Sequence, residues 1–135
     1  MFIDAVVVKG SGKSFDVSVN VLSATSTESE PEFVALDLDP YAVQFRILGA
    51  TTSDAKVLVE HLITQNTEPS EDGQITNPQD GQFTFTVTAE DTNKLGFGKF
   101  PIQINMLDAE TLQHEFTLTE GGENSEFNCI RIVQV

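Results

Sequence analysis

Several groupings in this chain carry residue types capable of chemistry. Lys9-Gly10-Ser11-Gly12-Lys13-Ser14 ends in G-K-S, the close of a phosphate-binding loop. Such a loop needs an earlier glycine, where this chain has Val7, and a helix after the serine to aim backbone amides at phosphate. An alternating run follows Ser14 instead, so the segment reads as a glycine-rich hairpin turn. His61 and His114 could ligate zinc, but only from neighbouring strands with a third ligand close by. Each lies in an apolar register, beside Val59 and Ile63 or beside Leu112 and Phe116, and reads as a partly buried or edge histidine. There is no G-x-S-x-G elbow, and no nucleophile motif surrounds Cys129, which reads as a small packed residue of a C-terminal strand. Asp37 with Asp39, Glu71 with Asp72, and Glu120 with Glu123 fall near expected loops. Clustered oxygen ligands suit calcium, yet Asp37-Leu38-Asp39-Pro40 lacks the further ligands and the glycine of an EF-hand. Sugar hydrolysis needs two carboxylates at a set separation in a cleft, which no pair displays. No catalytic, cofactor-binding or metal-ligating residue is assigned, no cofactor is expected, and the chain reads as a non-enzyme.

The elements that would position these groups are strands. Phe83, Phe85 and Val87 alternate with Gln82, Thr84 and Thr86, the period-two pattern of a half-buried strand. Phe100, Ile102, Ile104 and Met106 alternate with Pro101, Gln103 and Asn105, and Leu112, His114, Phe116 and Leu118 repeat the pattern after a turn at Asp108–Thr111. Three such strands in succession predict a sheet with one dry and one wet face. Further alternation covers Ser14–Leu22, Tyr41–Ile47 and Lys56–Thr64, with shorter segments at Ile3–Lys9, Phe33–Leu38 and Phe127–Val135. That makes about nine strand-like segments. Thr88–Leu95 predicts one helical turn, with Thr88 as cap and Glu90 and Asp91 in the first turn. Mobile loops are expected at 23–31 and 65–80, the second with a brief strand at Gln74–Thr76. The fold class is therefore all-β, an antiparallel β-sandwich with Ig-like topology, and 1–135 is expected to form a single domain. One cysteine and no tryptophan exclude a disulfide-linked antibody-type core.

Length and charge narrow the partners. A chain of 135 residues buries roughly two-thirds of its unfolded surface without staples. Twenty-one acidic residues against seven basic ones give a net charge of −14. That surface repels a phosphate backbone, so no nucleic acid partner is expected. The N-terminal run Met1–Val8 has no basic leader and is interrupted by Asp4, and no apolar segment reaches membrane-spanning length, so no membrane partner is expected and the protein reads as soluble when made. The acids are spread from Asp4 to Glu126, which suits a solvated surface and a partner offering a basic or apolar contact.

Within Leu36–Leu118 the residues follow a recurring order. Asp37-Leu38 opens the unit, and Val43, Phe45 and Ile47 supply its first strand. Gly81, Phe83 and Phe85 begin the next strand, Glu90, Asp91 and Leu95 fill the crossing, and Gly98, Phe100, Ile102 and Ile104 complete it. This order resembles an Ig-like domain of tailed-phage virion proteins, known best as the N-terminal domain of the baseplate upper protein. Asp39-Pro40 departs from it by replacing the usual Thr-Gly turn, and the chain lacks a long C-terminal extension. The resemblance implies a non-enzymatic structural protein, made in the host cytoplasm and resident in the virion. Its partners would be other virion proteins, of the capsid or of the tail and baseplate. A carbohydrate- or calcium-binding adhesion module is the alternative that the same sandwich would serve.

Overall fold

The computed structural model describes residues 3–22, 25, 27–30, 32–49, 56–66, 73–119 and 128–134. The alternating segments form β1 (Ile3–Val8), β2 (Lys13–Ser18), β3 (Asn20–Leu22), β4 (Phe33–Ala35), β5 (Tyr41–Leu48) and β6 (Val57–Ile63). They continue with β7 (Gly73–Asn77), a 3-10 turn (Pro78–Asp80), β8 (Gln82–Val87), α1 (Ala89–Lys94), β9 (Gly98–Asp108), β10 (His114–Thr119) and β11 (Asn128–Val133). The larger sheet runs β1-β11-β9-β5-β6 with β10 also paired to β9, the smaller runs β2-β8-β7, and β3 and β4 form a separate hairpin. Ig domains carry G-F-C, extended to C′ in the variable type, on one sheet and B-E-D on the other. The orders β11-β9-β5-β6 and β2-β8-β7 reproduce that arrangement, so the chain is an all-β, Ig-like sandwich, as expected.

The dry face of each sheet follows the sequence pattern. Phe45 and Ile47 of β5, Phe83 and Phe85 of β8, Ile102, Ile104 and Met106 of β9, and Ile130 and Ile132 of β11 are all at most 1% exposed. Phenylalanine rings join the layers: Phe15 stacks on its cross-strand neighbour Phe85 at 5.0 Å, and Phe85 stacks on Phe45 of the facing sheet at 4.4 Å. Such contacts add specific geometry to the area that the rings remove from water. Gly73 faces Phe85 across the β7–β8 ladder with φ +135°, and a Cβ there would lie 2.2 Å from the Thr84 carbonyl oxygen. Only glycine lets β7 close on β8 at this point.

Several details differ from the alternation pattern, each for a physical reason. β8 does not share a sheet with β9 and β10, because α1 carries the chain across the sandwich between them. β1 pairs parallel to β11, from Ile3 opposite Asn128 to Val8 opposite Val133, in an otherwise antiparallel fold. Side-chain alternation holds no information on strand direction, so this was not legible. Gly10–Ser14 is no hairpin turn: β1 and β2 lie in different sheets, and the turn, with Gly10 at φ +87°, is a crossing between them.

The outer side of β9 is not wet, since Pro101, Asn105 and Leu107 are buried there by the neighbouring strands and their side chains. Leu112 leaves the alternation, lying in a turn at φ +58°, and β10 slips register between His114 and Phe116 and again between Thr117 and Thr119. The expected loop 65–80 contains β7 and the 3-10 turn, and the brief strand foreseen there is β7. Its stretch 67–72 and residues 23, 24, 26 and 31 of the first loop lie outside the described residues.

Candidate functional site

Most of the groupings with chemical potential are dispersed by the fold. His61 lies in β6, at one edge of the larger sheet, and His114 in β10, beyond β9, so β5 and β9 stand between them and they form no metal pair. Asp37 and Asp39 make a local turn, the Asp39 amide donating to Asp37 Oδ1 at 2.9 Å. Among the described residues no three His, Cys, Asp or Glu side chains converge on one point. Glu71, Asp72, Glu120 and Glu123 and the side chain of Cys129 lie outside the described part of the chain.

What the sequence did not show is a pairing of His61 with Asp91. The ring Nε2 donates to Asp91 Oδ2 at 2.6 Å, with side-chain exposures of 14% and 6%. Two elements aim these groups. β6 points His61 inward in register with Phe45, whose ring it parallels at 6.4 Å and 5°. Thr88 caps α1: Thr88 Oγ1 accepts from the Asp91 amide at 3.1 Å, and the Thr88 amide donates to Asp91 Oδ2 at 2.9 Å. This capping box holds the carboxylate where the imidazole meets it. The pair therefore ties the edge of the larger sheet to the connection leaving the smaller one, which is a structural task. Thr92, fully buried one residue on, extends the tie by accepting from the Gly10 amide at 3.0 Å and donating to the Ser11 carbonyl at 3.1 Å.

A second polar array crosses the outside of the larger sheet. His114 Nε2 bonds Thr117 Oγ1 at 2.9 Å, and Thr117 Oγ1 donates to Asn105 Oδ1 at 2.7 Å. Asn105 Nδ2 donates to Gln44 Oε1 at 3.0 Å, and Gln44 Nε2 to Glu60 Oε1 at 2.7 Å. Arg46 Nη2 stands 3.7 Å from the same Glu60 oxygen. These bonds run from β10 through β9 and β5 to β6 and join polar groups of that face to one another, while Arg46 Nε lies buried without a hydrogen-bond partner. They explain how Asn105 is 4% exposed without a buried orphan amide.

The remaining candidate is the end of the sandwich that carries the turn before β5, the 3-10 turn and the β9–β10 turn. Its backbone is cross-braced. The Leu38 amide donates to the Pro78 carbonyl at 2.7 Å and the Ala109 amide to the Pro40 carbonyl at 3.0 Å. Gln65 Nε2 donates to the carbonyls of Leu38 and Tyr41 at 2.9 and 3.1 Å. Asp108 Oδ1 accepts from the amides of Glu110 and Thr111 at 2.8 and 2.9 Å. Those two backbone bonds, Thr111's first, hold the Asp108 carboxyl below its ordinary pKa of 3.8. Leu112, in the β9–β10 turn, is 44% exposed, and Phe33 and Val34, on the β3–β4 hairpin tied to the sandwich at Val19, Leu36 and Gly81, are 64% and 40% exposed. Among the described residues this region presents apolar side chains and a hydrogen-bonded turn.

Strand order and layers thus define an Ig-like β-sandwich without a described catalytic centre. No family model matches this chain, and no curated protein matches it. Among solved structures it is similar to the NK cell receptor NKp44, described as a triggering partner in natural cytotoxicity. That similarity has a TM-score of 0.44 at 11% identity, over 97% of this chain and 99% of the other. It concerns the fold alone.

Proposed function

We propose that the chain is a non-enzymatic structural module that docks on a larger assembly through its braced loop end. The observation that carries this reading is the exposure of Leu112 on the braced β9–β10 turn and of Phe33 and Val34 on a hairpin fastened at its root. The His61–Asp91 pair and the array from His114 to Glu60 are engaged internally. Loops held by a rigid scaffold are the usual carriers of recognition. The resemblance of Leu36–Leu118 to virion Ig-like domains supports a tailed-phage particle as the assembly, with capsid or tail and baseplate proteins as partners. The protein would be made soluble in the host cytoplasm and reside in the virion. Mass spectrometry of separated heads and tails tests this. Fragments of this chain in one fraction, at a copy number matching a symmetric site, are the expected result. Absence from both fractions rejects the virion assignment.

An adhesion module is favoured by a different observation. A shallow cavity of about 260 Å³ opens at Asp16, Ser18, Thr76 and Gln82, whose hydroxyls, amide and carboxylate could meet the hydroxyls of a sugar. Retention on a glycan array that Asp16→Asn abolishes would select this reading. Docking on a particle predicts no such retention.

A further inference from the structure

The hairpin β3–β4 belongs to neither main sheet. Val21 pairs with Val34 and Leu22 with Phe33. Consecutive strand residues point to opposite faces, yet Phe33 and Val34 are both well exposed, as is Ala35. Neither face of β4 is therefore packed on the sandwich, and the hairpin projects as an arm. A lone two-stranded hairpin is marginal in water. This one is fastened at its root, where the Val19 amide donates to the Gly81 carbonyl at 2.9 Å and the Leu36 amide to the Val19 carbonyl at 3.0 Å. Gly81 permits the junction: at φ +68°, a Cβ would lie 2.5 Å from the Val19 carbonyl oxygen and 2.8 Å from that of Leu36.

Charge selects what covers the arm. From Ser14 to Phe45 the chain carries Asp16, Glu28, Glu30, Glu32, Asp37 and Asp39 and no lysine or arginine. Glu28, Glu30 and Glu32 are exposed in the segment that leads into Phe33, where the Glu30 amide donates to Thr27 Oγ1 at 3.0 Å and Thr25 Oγ1 donates to Glu32 at 3.1 Å. An apolar strand preceded by an acidic loop repels a second copy of a chain whose net charge is −14. It equally repels an anionic membrane surface. Resting on the docking reading above, we infer that the arm seats in an apolar groove of an assembly subunit, with Phe33 against one wall and Val34 against the other, and that the rim of the groove is lysine- and arginine-rich. The apolar pair supplies the buried anchor, and the glutamates steer and orient it.

The test uses the full chain added back to purified particles that lack it, with binding followed by co-sedimentation across a salt series. Phe33→Ser with Val34→Ser should weaken association at least about tenfold, as expected for loss of an anchor. Glu28→Gln, Glu30→Gln and Glu32→Gln together should weaken it and flatten its salt dependence. Both variants should stay folded, because the altered side chains are exposed, and the glutamine variant should melt no lower than the parent, because it removes three repelling charges. A photo-cross-linker in place of Phe33 should map to an apolar particle segment flanked by lysine or arginine, a readout that stands even if the serine variant folds poorly. Wild-type-like binding by both variants, or a cross-link to an uncharged or acidic segment, overturns the arm while leaving particle docking intact. Failure of the wild-type chain to bind any particle overturns docking, and the arm with it. A concentration-dependent dimer that Phe33→Ser and Val34→Ser abolish makes the occupant a second copy and overturns the proposed partner.

Discussion

Phe85 sits at the centre of a run of rings from Phe15 through Phe45 to His61, and it is fully buried. Removing the ring leaves a cavity that two facing sheets cannot both collapse into. Phe85→Ala should cost about 3–5 kcal/mol, read from urea unfolding, and an unchanged midpoint would reject its role. Asp108 makes a prediction in pH. Its exposed carboxyl has a lower pKa folded than the ordinary 3.8, so it stabilises the β9–β10 turn above about pH 3.8. That contribution is lost as pH falls through the folded value. A carbon-detected titration should place the Asp108 midpoint below 3.8, with the Glu110 and Thr111 amide signals moving in step. A midpoint at or above 3.8 counts against those backbone bonds. The burial of Phe83, Phe85 and Phe45 was legible because period-two alternation places them on one face. The meeting of His61 with Asp91 was not, since 30 residues and a change of sheet separate them.

At the scale of elements, α1 shows how far local rules reach. Thr88, Glu90 and Asp91 announce a short helix, and it forms with Thr88 as its cap. Six residues are too few to be stable alone, so tertiary ties must hold them. Asp91 reaching His61, Thr92 reaching Gly10 and Ser11, and Lys9 Nζ donating to the Leu95 carbonyl are those ties. Thr88→Ala should therefore destabilise the fold by about 0.5–2 kcal/mol, and Thr88→Ser by clearly less. Equal losses for the two variants would show that the hydroxyl bond is not what matters. The hairpin β3–β4 was only half legible. Phe33–Leu38 announced a strand, but nothing in its local pattern indicated that its partner would be β3 and not a main sheet.

At the scale of the whole molecule, the net charge of −14 acts on every element at once. Spread carboxylates repel one another more in the compact state than in the expanded one. Raising salt from about 10 mM to about 150 mM shortens the Debye length from roughly 30 to 8 Å, so the melting temperature should rise over that range. A flat or falling curve would indicate that attractive pairs such as Arg46–Glu60 dominate. The same charge makes association with a basic surface salt-sensitive, which links stability and docking to one variable.

The sequence by itself determined the class of fold, the inward face of β5, β8 and β9, the cap of α1 and the acidic surface. Each of these follows from residue type at short spacing. Only the tertiary structure decided which sheet each strand joins, the parallel union of β1 with β11, and the His61–Asp91 tie. It also decided that Phe33 and Val34 remain exposed on an arm fastened at its root. Strand alternation states which side of a strand is dry but not which strand lies beside it. Partner choice is set by non-local packing, by crossings such as α1, and by glycines such as Gly73 and Gly81 that admit close approach.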